Sequence, residues 1–267
     1  MNIFRIISSY QTENQTNMQQ EKTYNLIYFS EITSTNTHAI RNIANFLDRD
    51  VLMAEIQTEG RGRFNRKWIS DRSDNIYISF VLKPYIKMGE NSALNNISQY
   101  LSVKLCEILE TYGVNPVIKW PNDVLINNKK ISGILAQTSI RGNSFQGLVL
   151  GIGVNLNFEK EDIEKIDRPA TSLNLILGKK IDRDKFLKNL LEKFFKNYDE
   201  FLNTGFDFIK DDYIKRAYFL GKIVTVNTYN TEVKGIAKKI SDDGSLIIIP
   251  ENCENEQIIN MGEILEY

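Results

Sequence analysis

The feature that most constrains the fold is a succession of short β-prone runs in the middle of the chain. Three of them, Val117–Trp120, Val124–Ile126 and Ile131–Ser139, precede a fourth at Gln146–Asn157. The Asn127-Asn128 pair between the second and third runs is typical of a tight turn between strands. This part of the chain is therefore predicted to form several strands joined by turns.

Other segments have the three-and-four spacing of apolar residues that is typical of amphipathic helices. One such segment runs from Leu94 to Tyr112, and Gly113 is expected to end it. A second follows Asp182 and continues to Phe201, and a shorter helix is predicted over Asn36–Leu47. Runs at Val51–Ile56 and Asn75–Leu82 are β-prone, so the chain is predicted to contain both helices and strands.

The C-terminal part changes character, because short strands follow one another closely. They are predicted at Lys222–Thr228, Val233–Ile240, Leu246–Ile249, Gln257–Asn260 and Glu263–Leu265. Such spacing suggests a small barrel. We therefore expect an N-terminal extension, a large domain and a small C-terminal domain, at residues 1–23, 24–218 and 219–267.

Composition excludes several classes of function. The 267 residues have a net charge of -1, so no polyanion partner is expected from bulk charge. The only thiol and imidazole side chains are those of Cys106, Cys253 and His38, too few for a structural zinc site or a disulfide framework. A reducing, cytoplasmic location is expected. No apolar run is long enough to span a membrane.

The segment Gly60–Trp68, GRGRFNRKW, combines glycines with closely spaced arginines between two predicted strands. Glycines allow close approach of a ligand to the backbone, and guanidinium groups suit carboxylate or phosphate. Two other interpretations remain open for it. It could be a solvated basic loop, or a nucleic-acid surface on which Phe64 and Trp68 stack with bases.

A second motif, Lys119–Asp123, is KWPND, and the predicted hairpin after it leads to Lys129 and Lys130. Pro121 interrupts a β-prone run and fixes a turn there. A carboxylate beside an amide can hold a magnesium–phosphate complex or orient an attacking amine. Lys129 is equally well explained as an ordinary surface lysine.

Two shorter motifs are weaker on their own. Gly151–Asn155, GIGVN, places glycines inside an apolar run, which suggests either close approach by a backbone or ligand, or a bulge. Ser34, Thr35 and Asn36 could cap the helix that follows them or bond a polar ring system.

Taken in their order and spacing, these motifs resemble the biotin–protein ligase family over residues 24–267. GRGRFNRKW is similar to the family's biotinyl-adenylate loop, and KWPNDVLINNKKISGIL to its second core motif. The resemblance implies an α+β catalytic domain related to class II aminoacyl-tRNA synthetases, with a mixed sheet and flanking helices. It also implies a small C-terminal SH3-like β-barrel.

The resemblance further implies biotin and ATP as substrates, Mg²⁺ as cofactor and a biotin-carrier domain of a carboxylase as acceptor. Arg63, Asp123 and Lys130 are the implied catalytic residues. The implied biotin contacts are Ser34, Thr35, Asn36, Gln57, Arg61, Gly62, Arg63, Lys130 and Gly133. The implied ATP contacts are Arg66, Lys119, Asn122, Asp123 and Asn155. No metal ligand is certain, since Mg²⁺ would arrive with ATP and only Asp123 is a candidate to touch it.

Two points separate this chain from relatives. The family usually has glutamate where this chain has Gln137, which puts metal affinity in doubt if that position binds magnesium. The segment before residue 24 is too short for the DNA-reading module of many relatives, so we expect an enzyme without DNA or membrane partners. Dimerisation is common among relatives, and no residue here decides it.

Three alternatives stay open from sequence. A lipoate or octanoate ligase or transferase shares the catalytic architecture, although the GRGR loop and the C-terminal barrel favour biotin. A nucleic-acid-binding module would use the basic loop, and the net charge of -1 argues against it. A catalytically idle biotin sensor is the third, because of Gln137.

Overall fold

The computed structural model describes residues 4–6, 24–85, 92–228, 231–251 and 253–266. These residues fall into two compact units. The first unit combines the described residues of Met1–Met88 with Leu135–Asp167 and Ser172–Arg183; the second combines those of Gly89–Ile134 with Arg168–Thr171 and Asp184–Tyr267. This division does not follow the domain bounds predicted from sequence, which stay a prediction. Most of the predicted extension 1–23 lies outside the described residues.

The strands, in chain order, are β1 (Phe4–Ile6), β2 (Asn25–Ile32), β3 (Asp50–Gln57), β4 (Ile76–Leu82), β5 (Val117–Lys119), β6 (Asp123–Ile126), β7 (Lys129–Arg141), β8 (Ser144–Val154), β9 (Ile223–Asn227), β10 (Glu232–Ile240), β11 (Leu246–Pro250), β12 (Gln257–Ile259) and β13 (Glu263–Glu266). The helices are α1 (Thr35–Arg41), α2 (Ile97–Glu110), α3 (Lys160–Ile163), α4 (Leu173–Leu177), α5 (Arg183–Lys196), α6 (Tyr198–Thr204) and α7 (Lys210–Arg216). Among the described residues, no helix is long and apolar enough to cross a membrane.

A mixed sheet forms the centre of the first unit, with strand order β1-β2-β3-β4-β8 followed by the later part of β7. β2 and β3 are parallel, whereas β3 with β4 and β4 with β8 are antiparallel. Every residue of β4 is buried, because both faces of this central strand are covered. The expected mixed sheet with helices is thus present.

Helix α1 is shorter than the predicted helix Asn36–Leu47. It ends at Arg41 because the next residue, Asn42, leaves the helical range at φ -115°, and the Asn42 side-chain N–H donates to the His38 carbonyl at 2.9 Å. A separate 3-10 turn follows at Ile43–Asn45. Leu47, which the pattern placed on the apolar face, is 60% exposed.

In the second unit, two turn predictions are confirmed. Gly113, at φ +80°, follows α2, a conformation that favours glycine at a helix end. Asn127 and Asn128 both have left-handed φ values, +51° and +60°, and connect β6 to β7. Two consecutive left-handed residues form the tight hairpin connection that this residue pair favours.

The helix predicted after Asp182 is two helices. α5 and α6 are separated at Asn197, whose φ of -119° lies outside the helical range. The prediction that its apolar spacing forms core is confirmed. The residues concerned are all buried: Phe186, Leu190, Leu191, Phe194, Tyr198 and Phe201.

The C-terminal strands form a separate antiparallel sheet in the order β12-β11-β10-β9-β13. Gly244, at φ +80°, lies in the turn between β10 and β11. Its carbonyl accepts hydrogen bonds from Gln99 Nε2 at 2.9 Å and Trp120 Nε1 at 3.3 Å. This turn therefore touches both α2 and the residue before Pro121, within the second unit.

A buried arginine also stabilises the second unit. Arg216 of α7 is 6% exposed, and its guanidinium bonds both carboxylate oxygens of Glu110, at 2.7 and 2.9 Å. Asp212 supplies a further bond at 2.9 Å. Removing a partner of a buried charge is costly because the charge is left uncompensated.

We therefore expect Glu110→Ala to lower the free energy of unfolding by about 1–3 kcal/mol, less than for a fully buried pair because Glu110 is itself 41% exposed. Urea denaturation measures this change. Glu192→Ala is the control, because the Lys188–Glu192 ion pair is solvent-exposed and worth about 0.5 kcal/mol or less. Equal effects of the two substitutions would contradict a special role for Arg216.

Candidate active site

The predicted site residues form one cluster in each unit. In the first unit, Ile32 at the end of β2 pairs with Gln57 at the end of β3. Because these strands are parallel, the chain entering α1 passes beside Gln57. The Thr35 backbone N–H donates to Gln57 Oε1 at 2.9 Å, and the Thr35 hydroxyl lies 3.2 Å from the same oxygen.

Ser34 caps α1, as the local sequence predicts. Its Oγ accepts from the Thr37 N–H at 3.4 Å, and its side chain is buried. The cap and the bond to Gln57 hold the first turn of the helix against the end of β3. The proposed contact of Ser34 with a ligand stays a prediction.

Asn36 lies between three strands of the first unit. Its Nδ2 donates to Leu135 O at 3.2 Å and to Gln137 Oε1 at 3.1 Å, both on β7. Its Oδ1 accepts from the Ser79 hydroxyl at 2.6 Å. A Cβ at Gly151 of β8 would overlap this oxygen. The sequence predicted approach by a backbone or a ligand, or a bulge, at Gly151, whereas the structure places the Asn36 side chain there.

The basic loop Gly60–Trp68 is closed on itself. Trp68 N donates to Gly60 O at 2.9 Å, and Gly62 N donates to Arg66 O at 2.8 Å. A 3-10 turn, Arg63–Asn65, forms the tip. The loop thus has a defined backbone with Arg61, Gly62, Arg63 and Arg66 along it.

The aromatic residues of this loop contact other parts of the protein. The guanidinium carbons of Arg63 and Arg66 lie 5.2 and 5.4 Å from the centre of the Phe64 ring. The Trp68 indole packs on Gly153 of β8, where a Cβ would overlap the ring. This contact fixes the end of the loop to the sheet.

Asn155, just beyond β8, is buried, and its carbonyl accepts from Leu173 N at 3.0 Å. The residues after it are held by Asn75, whose Oδ1 accepts from the Leu156 and Asn157 N–H groups at 2.8 and 2.9 Å. Sequence reasoning missed Asn75, because its partners lie about eighty residues further along the chain.

The second cluster lies in the second unit, around β5, β6 and the start of β7. Lys119, Asp123 and Gly133 are cross-strand neighbours in one row. Lys130 Nζ lies 2.6 Å from Asp123 Oδ1. Burial lowers the pKa of Lys119, and the nearby Asp123 carboxylate opposes that shift. The two proposed catalytic residues Asp123 and Lys130 are thus brought together as an ion pair.

The turn that holds Asp123 is well anchored. The Trp120–Pro121 peptide bond is cis, and the Pro121 carbonyl accepts from Tyr213 Oη at 2.9 Å. Asn122 is buried, with its Nδ2 donating to Ile134 O at 2.6 Å. Sequence reasoning missed Tyr213, which lies far from this turn in the chain.

A short segment also pairs with the backbone of Lys130. Lys130 N donates to Pro169 O, and Thr171 N donates to Lys130 O, both at 2.9 Å. These bonds fix the backbone on both sides of the lysine, so that its side chain leaves the strand from a defined point.

The described part of the chain contains two free cysteines, Cys106, which is buried, and Cys253, which is exposed. There, no group of three or more His, Cys, Asp or Glu residues could hold a metal ion. Cys106 is buried in α2, and burial raises the pKa of its thiol. This agrees with the predicted role of Cys106 as a core residue.

Two parts of the chain match known protein-family models. Residues 26–155 match the Biotin/lipoate A/B protein ligase family, and residues 219–265 match the Biotin protein ligase C terminal domain. The Bifunctional ligase/repressor BirA of Bacillus subtilis is 33% identical over 84% of this chain and 69% of its own length. The Biotin--[acetyl-CoA-carboxylase] ligase of Paracoccus denitrificans is 32% identical over 86% of this chain and 96% of its own length.

The fold agrees with these sequence matches. The biotin protein ligase from Aquifex aeolicus, solved in complex with biotin and ATP, superposes with a TM-score of 0.76 and 32% identity. It covers 90% of this chain and 97% of its own length. The chain belongs to the biotin protein ligase family.

The contact between Trp68 and Gly153 generates a prediction about the loop. Gly153→Ala places a methyl group where the indole lies, so the loop should detach from β8. We expect trypsin to cleave within Gly60–Lys67 several-fold faster than in the unmodified protein. Mass spectrometry of the early fragments identifies the cleaved bonds.

Gly142→Ala is the matched control. Gly142 has φ +58°, so alanine strains this turn, but nothing lies within 4 Å of the added atom. It should destabilise the protein without exposing the loop. Unchanged loop cleavage in Gly153→Ala, or equal acceleration in both variants, would contradict the anchoring role of Trp68.

Proposed function

We propose that this protein attaches biotin to one lysine of a biotin-carrier domain of a carboxylase, through biotinyl-5'-AMP and at the expense of ATP. The observation that carries the proposal is the ion pair between Lys130 and Asp123, which lies next to the Trp120–Pro121 turn that Tyr213 holds in place. The chain that contains this pair belongs to the biotin protein ligase family. We place the enzyme in the cytoplasm, where its free cysteines stay reduced.

We also propose the finer architecture that the family resemblance implies. The catalytic domain, residues 24–218, is of the class II aminoacyl-tRNA synthetase type, and residues 219–267 form an SH3-like barrel. The five-stranded antiparallel C-terminal sheet and the family match over residues 219–265 support the second assignment.

The residues proposed for biotin recognition are those that the family resemblance implies. The ureido ring both donates and accepts hydrogen bonds, which suits hydroxyl and amide side chains under apolar walls. The proposed contacts are Ser34, Thr35, Asn36, Gln57, Arg61, Gly62, Arg63, Lys130 and Gly133. The bond from Thr35 N to Gln57 Oε1 supports Gln57 in particular, because it leaves the Gln57 N–H groups to serve as donors.

ATP recognition is assigned to Arg66, Lys119, Asn122, Asp123 and Asn155. The described residues include no group of three or more His, Cys, Asp or Glu side chains that could hold a metal ion. We therefore propose that Mg²⁺ would be held mainly by the ATP phosphates, with Asp123 as the candidate protein ligand. When bound, Mg²⁺ would neutralise triphosphate charge. The contact of Gln137 with Asn36 agrees with a hydrogen-bonding role for Gln137.

In the first step, the biotin carboxylate attacks the α-phosphorus of ATP, and pyrophosphate leaves. Two anions must meet, so cations have to offset their repulsion. Lys130 is proposed to move from Asp123 to the reacting oxygens, with Arg63 and Arg66 as further cations. The flexible lysine stem permits this exchange of partners.

In the second step, the acceptor lysine attacks the mixed anhydride and AMP leaves. A free lysine has a pKa of about 10.4, so its amine must be deprotonated to react. Asp123, once Lys130 has turned to the phosphate, is the carboxylate proposed to orient this amine and accept its proton. No covalent intermediate with the enzyme is needed.

Lys130→Ala tests the first step. We expect biotin-dependent exchange of pyrophosphate into ATP to fall by about 100-fold or more, because the biotin carboxylate and the ATP phosphate must then react without the lysine charge that offsets their repulsion. Lys129→Ala is the control, since Lys129 is the exposed neighbour at the start of the same strand. Normal exchange in Lys130→Ala would remove this lysine from the mechanism.

Arg63→Gly tests the loop. We expect the variant to form biotinyl-adenylate but release it, so that lysines of bystander proteins become biotinylated. Lys67→Ala, an exposed basic residue of the same loop, is the control. The half-life of enzyme-bound adenylate in a spin-column assay measures retention, and an unchanged half-life in Arg63→Gly would count against the role.

The function itself is tested by incubating the protein with ATP and labelled biotin or lipoate, with a carrier domain, with and without magnesium. ATP-dependent transfer of biotin alone is the expected result. Transfer of lipoate would indicate the neighbouring ligase class, and biotin binding without transfer would indicate a sensor.

A further inference from the structure

A chain of hydrogen bonds runs behind the first cluster. Asn36 Oδ1 can only accept, so its 2.6 Å contact uses the single proton of the Ser79 hydroxyl. The Ser79 hydroxyl also lies 2.7 Å from the Thr35 hydroxyl. Ser79, fully buried on β4, is therefore within hydrogen-bond distance of two consecutive residues of the first turn of α1.

The Nδ2 group of Asn36, opposite its Oδ1, forms hydrogen bonds with β7. Both Nδ2 hydrogens have acceptors, the Leu135 carbonyl and Gln137 Oε1. With Ser79 on its oxygen, the amide can adopt only one of its two orientations. Gly151, opposite Ser79 on β8, leaves the space that the Asn36 side chain occupies.

We propose that Ser79 and Gln137 are positioning residues for biotin recognition, which hold Asn36 and Thr35 so that Thr35 in turn holds the Gln57 amide. This inference rests on the proposed function and deepens it. Neither residue needs to touch biotin. Gln137 is then an acceptor for Asn36, a role that glutamine and glutamate perform equally, and its difference from the family's usual glutamate does not concern a metal.

Ser79→Ala tests the donor at one end. Asn36 Oδ1 loses its proton donor in a buried place, so the first turn of α1 should shift. We expect KM for biotin to rise by about 10- to 100-fold, with KM for ATP nearly unchanged. Ser79→Thr keeps the hydroxyl and should retain most of the biotin affinity. Ser102→Ala, another fully buried serine, whose hydroxyl bonds only within α2, is the matched control.

Gln137 tests the other end without a risk to folding, because this side chain is only half-buried. Gln137→Leu removes the acceptor, and we expect KM for biotin to rise, by less than in Ser79→Ala because Leu135 O remains. Gln137→Glu keeps an acceptor, and both KM for biotin and the magnesium dependence should be unchanged. A change in magnesium dependence in Gln137→Glu would overturn the assignment.

The outcomes separate this inference from the proposed function. If the unmodified protein transfers no biotin, the proposed function fails. If it transfers biotin and Ser79→Ala keeps its KM for biotin, the positioning role fails alone. A fall in thermal stability of Ser79→Ala with unchanged KM would show that the hydroxyl is merely structural, and would equally overturn the proposal.

Discussion

The first unit depends on the burial of one amide. Asn36 is 5% exposed among three strands, where an unsatisfied amide would cost several kcal/mol. Hydrogen-bond partners on β4 and β7 satisfy the Asn36 amide, and Gly151 on β8 leaves room for its side chain. Because the bonds come from β4 and β7 and the space is left by β8, the first turn of α1 is fixed with respect to three strands of the sheet, and not only to its own connection with β2.

The second cluster depends on a different interaction, the ion pair of Lys130 with Asp123. Such a pair is partly exposed and contributes little to stability. In the proposed mechanism, this pair keeps Lys130 and Asp123 within reach of each other, and either side chain can exchange its partner. The fixed parts are the backbones beneath it, namely the Trp120–Pro121 turn held by Tyr213 and the Lys130 backbone held by residues 169 and 171.

Sequence predicted well what depends on near neighbours. Turn residues such as Asn127 and Gly113, the cap at Ser34 and the buried face of α5 follow from local sterics and apolar spacing. The length of α1 does not follow from these, because Asn42 leaves the helical conformation and its side chain bonds the His38 carbonyl, where periodicity alone continues the helix. Ser79, Asn75 and Tyr213 were missed because their partners are far along the chain, and a serine or asparagine inside an apolar run gives no local sign of what it bonds. The glycines of β8 were recognised as sites of close approach, but only the fold shows that Asn36 and Trp68 fill them.

The basic loop had two interpretations, a clamp on a small anion or a surface that stacks nucleic-acid bases. Stacking requires aromatic faces that are open to bases. Here the Trp68 indole packs on Gly153, and the Phe64 ring is flanked by the guanidinium groups of Arg63 and Arg66. The loop is also closed by its own backbone bonds, which orders its arginines before any ligand arrives. A loop whose rings are already in contact with the protein suits the proposed role, the binding of one compact anion such as an adenylate, better than it suits base stacking.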